Sequence, residues 1–73
     1  MKDLYEKLAQ ILDVPEVKGE DLLREFEEWD SITVLSVMTM CDTNFGVALT
    51  AEDMASVGTA GDLALLITRR RGE

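Results

Sequence analysis

Residues 29–46 read WDSITVLSVMTMCDTNFG, and this stretch decides the fold. Asp30 is a strong helix N-cap, so we predict a helix that begins at Asp30 or Ser31. Apolar residues then recur at helical spacing, at Ile32, Leu35, Met38, Cys41 and Phe45. Gly46 supplies the stop, because glycine readily adopts the left-handed conformation that ends many helices.

The segment at the N-terminus predicts an amphipathic helix over residues 2–12. Leu4, Leu8, Ile11 and Leu12 fall on one side of a helical wheel. Residues 13–15, Asp-Val-Pro, end this helix, since proline disfavours the helical conformation in the residue before it.

Two capping boxes predict two more helices near the C-terminus. Thr50 is followed three residues later by Asp53, and Thr59 is followed in the same way by Asp62. The first of these helices ends at about Ser56, because Gly58 interrupts it. The second turns Ala60, Leu63, Ala64, Leu66 and Ile67 toward the core. Arg69, Arg70 and Arg71 lie at its C-terminal end, where positive charge opposes the helix dipole.

Residues 13–30 form a long connection that we expect to be ordered. Its apolar side chains are suited to pin it to the core, with one or two helical turns around residues 20–26; they are Val17, Leu22, Leu23, Phe26 and Trp29. The sequence therefore predicts an all-α fold. We expect residues 1–73 to form a single domain, a small four-helix bundle with a short third helix and a long loop between helices 1 and 2.

Charge and composition restrict the partners. The net charge is −8, and residues 1–30 hold ten acidic against four basic residues. Such a surface repels nucleic acids and anionic membranes and attracts partners with basic patches.

The apolar runs of the sequence are too short to cross a bilayer, which takes about 20 residues. We expect a cytoplasmic protein, since the single Cys41 forms no internal disulfide and the N-terminus lacks a secretory signal. We also expect it to be a monomer.

Self-contained catalysis is not indicated by the residue types present. The chain has no histidine and one cysteine, so nucleophilic triads and structural zinc sites are excluded. We expect Met38 and Cys41 on the inward side of their helix, and Trp29 to pack against the turn that follows it.

The distinctive feature is Ser31, in the first turn of a helix whose positive end favours a phosphate ester. An Asp-Ser pair alone more often serves only as a helix cap.

The spacing from Trp29 to Ile67 resembles the acyl carrier protein family. Asp30-Ser31-Ile32 is similar to its Asp-Ser-Leu modification motif, and Phe45-Gly46 to the end of its second helix. Thr50-Ala51-Glu52-Asp53 resembles the start of its short third helix, Val57 its buried loop anchor, and residues 59–63 the opening of its last helix. The likeness covers just over half of the chain closely and nearly all of it loosely.

The resemblance implies a cofactor and a set of partners. Ser31 would carry a covalent 4′-phosphopantetheine arm, added by a separate phosphopantetheinyl transferase, whose thiol holds acyl groups as thioesters. Asp30 would take part in the transferase encounter. Other partners would be acyl-loading and acyl-processing enzymes of fatty-acid, polyketide or specialised lipid biosynthesis. The chain itself would be a carrier and not an enzyme, with no resident metal.

The second helix would be the surface that partners read. Thr33, Ser36 and Thr43 stand where fatty-acid-synthesis members carry acids, and Asp42 is the main acid that remains. We expect recognition to involve Asp30, Ile32, Thr33, Val34, Ser36, Met40 and Asp42. Val34 and Met40 either face outward and select a specialised partner or pack against the long loop; the sequence leaves both alternatives open.

Two other functions also remain open. An aminoacyl or peptidyl carrier would share the fold and the serine. A helical interaction module that never receives an arm would bind partners through the face of residues 34–40.

Overall fold

The computed structural model describes residues 2–71. It contains four helices: α1 Lys2–Leu12, α2 Ser31–Phe45, α3 Ala51–Ser56 and α4 Ala60–Arg70. A single 3₁₀ turn, Leu23–Glu25, interrupts the connection between α1 and α2, and no strand is formed within the described range. The predicted all-α bundle with a short third helix and a long first loop is confirmed.

The core is aliphatic and lies where the helices converge. Leu4, Leu8 and Leu12 of α1 are buried, as are Leu63 and Ile67 of α4. Fully buried Val37 and Cys41 contribute from α2. No charged or polar side chain of the described residues is buried, so the core holds the helices together through apolar contact alone.

The helix ends follow from local sequence. Both predicted capping boxes form, with the Thr50 and Thr59 hydroxyls accepting the backbone N–H groups of Asp53 and Asp62. Helix α1 ends at the predicted residue, Leu12, but the local cause differs from the prediction. Asp13 adopts a left-handed φ of 57°, and the N–H of Val14 reaches back to the carbonyl of Ala9 at 3.0 Å. This Schellman arrangement, rather than Pro15 alone, closes the helix.

The long connection is tied to the junction between α3 and α4. The Leu23 N–H donates to the Gly58 carbonyl at 3.0 Å, and the Gly61 N–H donates to the Gly19 carbonyl at 2.8 Å. Arg24 donates to the carbonyls of Val57 and Ala55 at 2.9 and 2.7 Å. The expected order of this segment is therefore confirmed.

Burial along the connection agrees with the prediction except at one position. Val17 and Leu23 are buried, and Phe26 and Trp29 pack against the core. Leu22 was expected to pin the loop, but its residue is 45% exposed. The prediction for the Leu22 side chain is wrong, and Leu22 instead ties the loop through its backbone, which forms an isolated antiparallel bridge with Thr59.

The arginines at the C-terminal end of α4 do more than oppose the helix dipole. Arg70 forms a bidentate ion pair with Asp53, with N···O distances of 2.9 and 3.1 Å. The guanidinium of Arg71 lies 5.8 Å from the centre of the Phe45 ring. The end of α4 is thereby linked to the start of α3 and the end of α2.

Helix α2 exposes a different face from the one its spacing suggests. Ile32 and Leu35 open the predicted apolar stripe, yet they are 76% and 61% exposed. Val37 is fully buried in their place, and Cys41 is buried as expected, while Met38 is half-buried. Because apolar residues occupy almost every side of this helix, spacing alone does not define its inward face.

Candidate functional site

Ser31 is the first residue of α2 and is exposed to solvent. Among the described residues, none forms a hydrogen bond with its hydroxyl. A helix of 15 residues follows it, so its Oγ lies near the positive end of the helix dipole. The hydroxyl is therefore accessible to a second macromolecule, and an anion bonded to it would be favoured there.

Asp30 fixes the start of the helix. Its backbone is extended, and its Oδ1 accepts the Thr33 N–H at 2.8 Å. The carbonyl of Asp30 accepts the first helical hydrogen bond, from Val34, at 2.9 Å. The Thr33 backbone N–H is the main cause of a pKa for Asp30 below its ordinary value. The carboxylate is thus ionised at neutral pH and holds Ser31 at the first helical position.

Trp29 sets the approach to this helix. Its N–H donates to the Phe26 carbonyl at 3.1 Å, and its side chain is half-buried against the core. The structural role predicted for Trp29 is consistent with this packing. The serine is consequently presented by a helix start that is anchored on the preceding loop.

The structure sorts the predicted recognition residues into three groups. Ile32, Ser36 and Asp42 are exposed, as is Asp30. Thr33 and Val34 are half-buried.

Met40 is buried, with 8% of the residue exposed. The outward orientation considered for Met40 is wrong, and Val34 also packs against the core.

Sequence reasoning did not select Leu35 for this surface. Leu35 is 61% exposed and lies one turn beyond Ser31, beside Ile32. Its position three residues after Ile32 was the available signal, but the same spacing fits a buried stripe equally well.

The described residues contain no group of three or more histidine, cysteine or acidic side chains arranged to hold a metal ion. In the same part of the chain, no helix has both the length and the apolar character needed to cross a membrane. Burial raises the pKa of the Cys41 thiol to about 11, so this thiol is largely protonated and inert at neutral pH.

A four-helix domain with an exposed serine at the start of its second helix has the architecture of a carrier domain. The chain belongs to the family described as the phosphopantetheine attachment site, whose model matches residues 2–67. No curated protein and no solved structure matches the sequence.

This family carries a covalently attached 4′-phosphopantetheine group. Its carrier domains are generally non-catalytic, and they interact with a phosphopantetheinyl transferase and with partner enzymes. When bound, the group supplies a terminal thiol that holds cargo as a thioester. The residues present fit such a group, since an unencumbered hydroxyl is exposed at the positive end of a long helix.

Proposed function

We propose that this chain is an acyl carrier protein and that Ser31 is the residue to which phosphopantetheine is attached. The observation that carries the proposal is the exposure of Ser31 at the start of α2, in a chain of the phosphopantetheine attachment family. Residues 1–73 act as one carrier domain, and the chemistry on the cargo is performed by other enzymes.

The bond-forming step of attachment needs only a free hydroxyl from this chain. The Ser31 oxygen forms a bond to the pyrophosphate phosphorus of coenzyme A that bears the pantetheine. The P–O bond within the pyrophosphate breaks, and 3′,5′-ADP leaves. The proton of the hydroxyl passes to the transferase or to solvent. The chain has no histidine, and no side chain of the described residues forms a hydrogen bond with the Ser31 hydroxyl, so the transferase supplies the base that activates it.

The charge of the surface supports partners with basic patches. Acidic residues are concentrated before Ser31, with Glu25, Glu27, Glu28 and Asp30 all exposed. Oppositely charged partners are steered toward this region, and salt weakens the attraction. We assign the transferase and acyl-processing enzymes to this class of partner and place the protein in the cytoplasm as a monomer.

Co-expression with a broad-specificity phosphopantetheinyl transferase, followed by intact-mass analysis, tests the attachment site. Wild type gains the mass of one phosphopantetheine, and Ser31→Ala gains none. Thr39→Ala is the matched control, because Thr39 is also a hydroxyl residue exposed on α2 and lies outside the predicted recognition residues. Modification that persists in Ser31→Ala, or that is lost in folded Thr39→Ala, refutes the assignment.

The class of cargo is tested by loading the modified protein. We expect fatty or other acyl donors to be accepted, in keeping with the strongly acidic surface. Transfer only from amino-acid adenylates would instead make the chain an aminoacyl carrier. Failure of several transferases to modify folded protein would favour an interaction module without an arm.

A further inference from the structure

A groove opens on the surface of the connection between α1 and α2. Its volume is about 320 Å³, and we call it the loop groove; it is lined by Glu20, Asp21, Leu22, Glu25 and Phe26. None of the described residues of α2 lines it, so it is separate from the helix that the sequence assigns to partner recognition. Its volume is at the lower end of the range of roughly 300–1,000 Å³ that is usual for binding sites.

The apolar part of the loop groove consists of Leu22 and Phe26. Leu22 is 45% exposed, although it is a large aliphatic residue, and Phe26 is half-buried and packs against the core. A partner that covered these two side chains would remove apolar surface from water, which favours association.

The backbone around Leu22 is fixed before any partner arrives. The Asp21 carbonyl accepts the Ala60 N–H at 2.9 Å, and the Leu23 N–H donates to Gly58. The Leu22 carbonyl itself accepts the Glu25 N–H at 3.1 Å. Because the loop is already ordered by these bonds, binding to it costs little further conformational entropy.

The charge of the loop groove specifies the kind of occupant. Residues 16–30 hold seven acidic residues and two basic ones, Lys18 and Arg24, and neither basic residue lines the groove. The Arg24 guanidinium instead donates to carbonyls of the segment 55–57. Within the described chain no three acidic groups converge to hold a metal ion, so the carboxylates flank the apolar surface. Such a groove complements positive charge placed on either side of an apolar side chain.

We propose that the loop groove is a docking site for a basic segment of a partner protein, which places one apolar side chain against Leu22 and Phe26 between its own lysines or arginines. The inference deepens the proposed function, on which it rests for the existence of partners, because it adds a contact on the loop that is apart from α2. A partner held at both places binds more tightly than through either contact alone.

The probe is the synthetic peptide acetyl-Lys-Arg-Leu-Arg-Lys-amide, added to the whole unmodified protein at low salt. A peptide with glycine in place of the leucine is the matched probe, because it has the same charge. Amide chemical shifts report where each peptide binds and how tightly. We expect saturable shifts at Leu22, Glu25 and Phe26, and roughly tenfold tighter binding of the leucine peptide, since only this peptide buries an aliphatic side chain.

Leu22→Ser is the test variant, and Leu65→Ser is its matched control. Both leucines are exposed, at 45% and 54%, but Leu65 lies on α4 and does not line the loop groove. In Leu22→Ser the two peptides should bind equally, whereas Leu65→Ser should keep the tenfold preference for the leucine peptide.

The outcomes decide between a specific groove and general attraction between charges. Equal binding of the two peptides to wild type, a comparison that needs no variant, would overturn the proposal. Shifts centred on α2, or a preference for leucine that survives in Leu22→Ser, would also overturn it. Since the peptides bind the protein without its arm, a failure here leaves the Ser31 assignment intact, and a failure of Ser31 modification is detected separately by intact mass.

Discussion

Replacing Gly61 with alanine tests whether the loop before Ser31 is packed as closely against α4 as the structure indicates. Gly61 is the second residue of α4, and its N–H donates to the Gly19 carbonyl at 2.8 Å. A Cβ at Gly61 would lie 2.9 Å from the same Gly19 oxygen, which belongs to the backbone and not to a flexible side chain. The loop must therefore move to admit a methyl group.

Two effects of opposite sign compete in Gly61→Ala. Alanine is favoured over glycine within a helix by about 1 kcal/mol. Overpacking costs roughly 1–3 kcal/mol, and loss of the Gly61–Gly19 hydrogen bond costs about 1 kcal/mol more. The unfavourable effects win, so we expect a net loss of about 1–3 kcal/mol in the free energy of unfolding. For a domain of this size the loss lowers Tm by roughly 4–24 °C.

Urea denaturation followed by far-UV circular dichroism measures this difference, provided that the m-values agree. Gly19→Ala is the matched control. Its Cβ would meet the Tyr5 hydroxyl at 3.0 Å, and that end of the side chain can swing away. We expect Gly19→Ala to stay within about 1 kcal/mol of wild type. A Gly61→Ala protein that equals or exceeds wild type in stability would refute the close packing of loop and helix.

Three further predictions concern other contacts. Arg24→Ala should lower the free energy of unfolding by about 1–3 kcal/mol, because two carbonyls lose a charged hydrogen-bond donor. Arg24→Lys should recover only part of this loss, since lysine lacks the two-pronged guanidinium. Equal stability of wild type and both variants in urea would contradict this prediction. Backbone N–H groups at helix starts hold the pKa values of Asp30, Asp53 and Asp62 below their ordinary values in the folded protein. These ionised carboxylates therefore stabilise the fold above about pH 4, and the stabilisation is lost as the pH falls through their lowered pKa values. In thermal melts, the Tm of wild type should therefore decrease as the pH is lowered below about 4, and it should decrease less steeply in the variant with all three aspartates replaced by asparagine. Parallel plots of Tm against pH for the two proteins would contradict this. The buried Cys41, with a pKa of about 11, should react with Ellman's reagent at pH 8 only after the protein unfolds. The native protein that carries the arm should therefore show one reactive thiol, that of the arm. Rapid labelling of native protein without the arm would contradict this prediction.

Features set within a few residues could be predicted from the sequence. The cap at Asp30, the boxes at Thr50 and Thr59 and the stop at Gly46 all form as expected, and α1 and α3 end where predicted. Each cap depends on groups three or four positions apart, so the local sequence determines its geometry. The exposure of Ser31 followed from the same local argument.

Contacts between distant segments could not be predicted in this way. Arg24 bonds carbonyls 31 and 33 residues further along the chain, and Arg70 pairs with Asp53 across 17 residues. No sequence pattern specifies such partners, because they meet only after the helices pack.

The sequence by itself determined the four helices, their caps and a serine at the start of the second, since these depend on local hydrogen bonds and helical spacing. Only the tertiary structure decided which side of α2 faces the core. Apolar residues surround that helix, so burying Val37 and Met40 or burying Ile32 and Leu35 would each satisfy its pattern. The packing of α1 and the loop against α2 selects the first arrangement and leaves Ile32 and Leu35 exposed beside Ser31.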